Sequence, residues 1–159
     1  MSRWTGIITL TLLVAVARYV PAQEADSKMT KHARGTFTVT VLPMSPAPAE
    51  GLARYSINKS MHGDLEATTK GEMFSGGDPK QGTAGYVAIE VVTGSLHGKH
   101  GSFALQQFAT MDGNGAKMTI VVVPGSGTGE LKGISGTFTI TIAGDRHSYD
   151  LEYYLANAE

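Results

Sequence analysis

The sequence predicts an all-β protein, folded as a closed antiparallel barrel of eight strands. Eight short runs are rich in Val, Ile, Thr and aromatic residues and are separated by turns rich in Gly, Pro and Asp. Several of these runs, such as residues 35–42, alternate apolar with polar residues. No stretch of ten residues shows a convincing helical period. A closed barrel is favoured over a sandwich because closure removes the exposed edges of a sheet.

A ten-residue pattern occurs twice and marks two corners of the predicted sheet. Residues 94–103 and residues 129–138 both read G-x-L-x-G-x-x-G-x-F. Glycine at three fixed places indicates positive φ or a close approach of the backbone, while the Leu and Phe mark the buried side. We therefore expect a strand end, a turn and a new strand in each copy. We also expect Gly101 and Gly136 to adopt conformations that are closed to residues with a β-carbon.

The strands follow one another along the chain with turn residues between them. A Pro-rich loop follows the first strand, and residues 112–115 (Asp-Gly-Asn-Gly) form a hairpin turn. The predicted strands are residues 35–42, 52–61, 65–74, 86–92, 102–111, 117–123, 137–142 and 148–155.

The alternation along each strand divides the side chains between lumen and solvent. An eight-stranded barrel is just wide enough to be filled by side chains or to hold one small ligand. The side chains expected in the lumen are Phe37, Val39, Val41, Tyr55, Ile57, Phe103, Leu105, Phe138, Ile140, Ile142, Tyr149, Leu151 and Tyr153. Those expected to face solvent include Thr36, Thr38, Thr137, Thr139, Asp150 and Glu152.

Residues 1–22 have the features of a signal peptide. Arg3 supplies a basic start, residues 7–17 are apolar but too short to span a membrane, and small residues stand at the −3 and −1 positions before a cleavage site after Ala22. We expect export to the periplasm or the medium, a disordered tail over residues 23–34, and one barrel domain over residues 35–155. The alternative is a cytosolic protein whose translation starts at Met29.

Composition and motifs exclude several functions. The chain has no cysteine, which excludes disulfides, thiolate metal sites and cysteine nucleophiles, and 13 Lys and Arg against 14 Asp and Glu indicate no nucleic-acid partner. His97 and His100 have no third ligand nearby in sequence, so we predict no metal. The loop over residues 124–129 has neither the ending of a phosphate-binding loop nor a G-x-S-x-G elbow. We predict no cofactor.

Six polar side chains are candidates for a ligand site. Lys59 falls in the inward phase of its strand, and a lysine inside a barrel needs a partner because an unpaired buried charge is very costly. Glu90 is the obvious partner, although Val87, Ile89 and Val91 compete with it for the inner face of their strand. The other candidates, all in the inward phase, are Gln107, His147, Tyr149 and Tyr153.

Two interpretations of this pair remain open. The charges could bind and polarise a carbonyl or a carboxylate, or move a proton. Alternatively, they form an ion pair that plugs one end of the barrel, or the lysine reaches out at its rim. In either case we expect Lys59 and Glu90 to lie near Tyr149 or Tyr153 at one end of the lumen.

Several runs of the chain resemble the bacterial domain of unknown function DUF3224. These runs are residues 59–66, 85–90, 94–107, 123–131 and 147–153. The resemblance extends over residues 31–155 and implies a barrel similar to the allene oxide cyclases and dirigent proteins of plants. Many relatives have His where this chain has Gln107, and most begin near the position of Met29 without an export signal.

Three functions remain open at this point. The leading one is a barrel that binds a small apolar or amphipathic molecule in its lumen, with Lys59 or Tyr149 orienting the polar end. The resemblance also allows an isomerase or cyclase of the allene oxide cyclase type. The third is a structural or interaction module with a packed lumen. Binding is the leading function because the sequence contains no motif of a catalytic site. The sequence does not decide between a monomer and a homo-oligomer.

The signal-peptide interpretation can be checked on the mature protein. N-terminal sequencing of protein purified from its own host should begin at Gln23, because cleavage after Ala22 removes the apolar segment. A chain that begins at Met29, or an intact Met1, would contradict export.

Overall fold

The computed structural model describes residues 29–156 and confirms the closed eight-stranded antiparallel barrel. Each strand pairs with the next along the chain, and the last pairs back to the first. Within residues 29–156, no helix is long and apolar enough to cross a membrane. The strands are β1 (Lys31–Met44), β2 (Leu52–Gly63), β3 (Leu65–Asp78), β4 (Thr83–Leu96), β5 (Lys99–Asp112), β6 (Gly115–Val122), β7 (Ile134–Ala143) and β8 (Arg146–Leu155).

Several strands extend beyond their predicted ends. β1 begins at Lys31, four residues before the predicted start, and Ala33 lies fully buried opposite Leu151 of β8. β3 continues to Asp78, which pairs with Thr83 of β4 across a short 3₁₀ turn. The Gly-rich sequence there predicted a loop, but ladder hydrogen bonds come from the backbone and need no alternating side chains.

The barrel is closed at one end and open at the other. We call the end near turns 63–64 and 97–98 the closed end, where Leu65, Leu96 and Leu151 are almost completely buried. The open end lies near turns 79–82 and 112–115. There Val41 and Ile142, which alternation placed in the lumen, are 41% and 61% exposed. They stand at the rim, where no further layer of side chains covers them.

The two copies of the ten-residue pattern form different turns. The first copy is the β4–β5 hairpin, in which His97 (φ 48°) and Gly98 (φ 80°) both lie in the left-handed region. The second copy begins in a 3₁₀ turn and enters β7 after Gly133 (φ 81°). In both copies the Leu and the Phe are buried, as the sequence predicted. The pattern therefore specifies two buried anchors and a left-handed glycine between them.

Of the two reasons expected for glycine in this pattern, close approach of the backbone applies to Gly101 and Gly136, and positive φ does not. Neither has a φ in the left-handed region. Instead, the backbone of a neighbouring segment passes too close for a side chain. A β-carbon at Gly101 would lie 2.1 Å from the carbonyl oxygen of Thr128, and one at Gly136 would lie 2.2 Å from that of Glu152.

This close approach predicts the effect of adding one methyl group. Gly136→Ala should lower the free energy of unfolding by about 1–3 kcal/mol, because the β7–β8 ladder must shift to admit it. Gly113→Ala is the matched control, since a β-carbon at Gly113 meets nothing within 4 Å. Urea unfolding of both variants measures the difference. Equal midpoints would show that β7 and β8 separate easily at this point.

Candidate functional site

The most apolar strand of the protein turns its one charged residue inward. Glu90 of β4 is 1% exposed, whereas Val87, Ile89 and Val91 on the outer face are 50% to 56% exposed. Of the residues that could have occupied the inner face of β4, Glu90 therefore does so, and the three apolar residues face outward. A carboxylate buried in this way needs hydrogen-bond donors or a cation beside it, because burying an unpaired charge costs a large free energy.

A glycine on the neighbouring strand makes room for this carboxylate. Gly71 of β3 lies directly opposite Glu90 in the ladder. A β-carbon at Gly71 would lie only 2.5 Å from the β-carbon of Glu90. A glycine inside a strand often marks such a close approach, and the position of Gly71 is thereby explained by the side chain beside it.

Three side chains from three other strands donate to Glu90. Lys59 of β2 forms an ion pair with Oε1, and Gln107 of β5 donates to the same oxygen from Nε2 at 3.0 Å. Thr69 of β3 donates from its hydroxyl to Oε2 at 2.6 Å, and also accepts the backbone N–H of Lys59 at 3.0 Å. All four residues are buried, and no buried side-chain N or O atom within residues 29–156 lacks a partner.

The ammonium group of Lys59 is enclosed as completely as its partner. Its side chain is 4% exposed, which contradicts a lysine reaching out at the rim. The Nζ atom also lies 5.9 Å from the centre of the Phe37 ring, a distance at which a cation is attracted to an aromatic face. The predicted pairing of Lys59 with Glu90 inside the barrel is thus confirmed.

The expected position of this pair beside Tyr149 or Tyr153 is wrong. The Tyr149 hydroxyl accepts the backbone N–H of Leu65 at 3.0 Å, and the Tyr153 hydroxyl lies 2.8 Å from Nδ1 of His97. Both contacts belong to the turns of the closed end. Tyr149 and Tyr153 lie in the part of β8 nearest the closed end. Their hydroxyl groups therefore form hydrogen bonds at the turns and do not contact the ion pair.

His147 also lies apart from the carboxylate. It is opposite Phe37 in the β1–β8 ladder, and the two ring centres are 5.2 Å apart. Of the six predicted site residues, the structure therefore brings together only Lys59, Glu90 and Gln107. Sequence reasoning missed Thr69 and Tyr86, although Tyr86 lies in phase with Glu90, and Thr69 lies opposite Lys59.

Tyr86 connects the buried cluster to a cavity at the open end. Its hydroxyl donates to Oε1 of Gln107 over 3.4 Å, a long hydrogen bond. Burial, together with the negative charge of Glu90, raises the pKa of the Tyr86 phenol, which therefore stays protonated at neutral pH. Tyr86 is thus a neutral group between a charged interior and the cavity above it.

The cavity above this cluster has a volume of about 290 Å³ and an apolar lining. No Asp, Glu, Lys, Arg or His of the described chain lines it. Ala84, Ala109 and Ala116, on β4, β5 and β6, also line it, and their short side chains leave room between the larger ones. The principal lining side chains are Tyr55, Met73, Tyr86, Ala109, Met111 and Met118.

A double-mutant cycle measures the coupling between the two charges. Lys59→Met or Glu90→Leu alone should lower the free energy of unfolding by roughly 3–5 kcal/mol, because each leaves the other charge buried and unpaired. The double variant should be close to wild type in stability. Effects that add within about 0.5 kcal/mol would show that the two residues do not interact.

The ion pair between Arg54 and Glu72 is the control for this cycle. Here Arg54 donates to both carboxylate oxygens of Glu72, with N–O distances of 2.7 and 2.8 Å, but the pair lies on the outer face. Water screens such a pair, so Arg54→Met with Glu72→Gln should show a much smaller coupling. An equal coupling energy in the two cycles would show that burial does not strengthen the interaction between Lys59 and Glu90.

Comparison with known proteins agrees with this architecture. The family model of DUF3224, described as a protein of unknown function, matches residues 33–153. A crystal structure of a protein with unknown function from the DUF3224 family of Shewanella oneidensis MR-1 is 38% identical in sequence, with a TM-score of 0.74. The alignment covers 82% of this chain and 100% of that one. No curated protein sequence matches. The chain therefore belongs to the DUF3224 family.

Proposed function

We propose that the protein binds a small apolar or amphipathic molecule in the cavity at the open end of its barrel. The observation that carries this proposal is the cavity itself, about 290 Å³ in volume, apolar along its walls and connected at Tyr86 to a polar network. Ligand sites in proteins are typically concave and mostly apolar, with a few polar groups that fix orientation.

The polar end of the ligand is assigned to Tyr86 in this proposal. The sequence pointed to Lys59 or Tyr149 for that role, but Lys59 is paired with Glu90 and Tyr149 is bonded to the Leu65 turn. Tyr86 lines the cavity, and its hydroxyl group makes one long hydrogen bond, to Gln107, which leaves the phenol oxygen able to contact a ligand. The buried ion pair then supports the floor of the site without touching the ligand.

The two alternatives use the same features less well. A structural module with a packed lumen does not account for the cavity at the open end. A cyclase or isomerase needs groups that stabilise a developing charge, and no charged side chain of the described chain lines the cavity. The proposal also places the protein outside the cytoplasm, on the pattern of residues 1–22, which lie outside the described residues.

Methyl-labelled methionine provides a direct test with naphthalene as the probe. Naphthalene should shift the NMR signals of Met73 and Met118, which line the cavity, and leave that of Met61, which is buried in the core below it. Ala109→Phe should abolish these shifts, because its ring fills the space beside Met118. Gln106→Phe is the control, since it adds the same ring on the exposed outer face of β5.

This experiment also defines the failure of the proposal. No shift at Met73 or Met118 in the wild-type protein would show that the cavity does not accept an apolar molecule. Equal shifts in wild type and in Ala109→Phe would place the binding elsewhere on the protein.

A further inference from the structure

We propose that the cavity selects a neutral ligand whose polar group is a hydrogen-bond donor, an alcohol or a phenol, over a carboxylate or an ether. This inference rests on the proposed function, because it concerns the same cavity. It follows from the direction of the hydrogen bonds below Tyr86 and from the position of the charges.

The carboxylate of Glu90 sets the direction of this chain of hydrogen bonds. A carboxylate only accepts hydrogen bonds, so each neighbour must present a donor to it. Gln107 therefore turns its amide nitrogen toward Glu90, at 3.0 Å from Oε1. The amide oxygen of Gln107 consequently points toward the cavity side, where it meets the hydroxyl of Tyr86.

The hydroxyl group of Tyr86 has a single proton, and the amide oxygen of Gln107 accepts a hydrogen bond from it. Gln107 is 2% exposed, so turning the phenol away would leave a buried acceptor without a partner. With its proton committed, the Tyr86 oxygen offers the cavity only lone pairs. A ligand that donates a hydrogen bond extends the chain that starts at Glu90. A ligand that only accepts must compete with Gln107 for the same proton.

The charges near the cavity exclude an anion. The ammonium group of Lys59 is already paired with Glu90 and enclosed against Phe37, and no cation of the described chain lines the cavity. A carboxylate in this space would lose its water without gaining a counter-ion. The carboxylate of Glu90 lies below Tyr86, on the other side of Gln107, and its negative charge opposes a second anion.

The walls of the cavity indicate the body of the ligand. Met73, Met111 and Met118 surround it together with the ring of Tyr55. Thioether groups adapt to irregular shapes and make favourable contacts with aromatic rings. An aromatic or alicyclic body with one hydroxyl group therefore matches both the wall and the floor.

Four matched probes test this inference near neutral pH: naphthol, methoxynaphthalene, naphthoate and naphthalene. They share one ring system and differ in the polar group alone. Titration calorimetry on the full barrel should show naphthol binding about tenfold more tightly than the ether or the carboxylate. Tyr86→Phe should bring the affinity for naphthol down to that for naphthalene and leave naphthalene itself unchanged.

The outcomes separate the inference from the proposed function. If none of the four probes binds, both are overturned. If naphthalene and the ether bind as tightly as naphthol, or naphthoate binds best, the cavity is a ligand site but the selection by Tyr86 is wrong. The comparison of the four probes in the wild-type protein decides this even if Tyr86→Phe fails to fold.

Discussion

The carboxylate of Glu90, buried where four consecutive strands meet, is the constraint on which the rest of the barrel depends. Its donors, Lys59, Thr69 and Gln107, come from β2, β3 and β5, while Glu90 itself lies on β4. Slipping any of these strands by one residue would turn its donor outward and leave the charge without that partner. Buried polar groups can specify register in this way, and this cluster links four of the eight strands.

The two ends of the barrel differ because of the residues on either side of this cluster. Toward the closed end, a large side chain fills the space beside a glycine: an added β-carbon at Gly35 would meet the ring and hydroxyl group of Tyr149 at 2.6 to 2.9 Å. Toward the open end, small residues such as Ala109 leave space uncovered. The same fold is therefore packed below the ion pair and hollow above it.

Much of this arrangement follows from local patterns, and the parts that do not are set by packing between strands. Alternation identified the strands and the inward phase of Lys59, because the period of a strand is a local property. It could not place Glu90, since β4 is apolar on both faces. The space at Gly71 and the three donors on neighbouring strands decide the matter. The position of Tyr86, and the size of the cavity, depend on how far neighbouring side chains reach into the lumen. The same limit explains why Tyr149 was expected beside a pair that it does not contact.

Binding of xenon under pressure, followed by crystallography, tests the division of the barrel most directly. Dry apolar cavities bind xenon, whereas close-packed interiors do not. We expect xenon between Met73, Ala109 and Met118, above Gln107, and none between the Glu90 cluster and the closed end. Xenon below Glu90, or an absence of xenon above Gln107, would contradict the claim that a buried carboxylate separates a packed half from a hollow one.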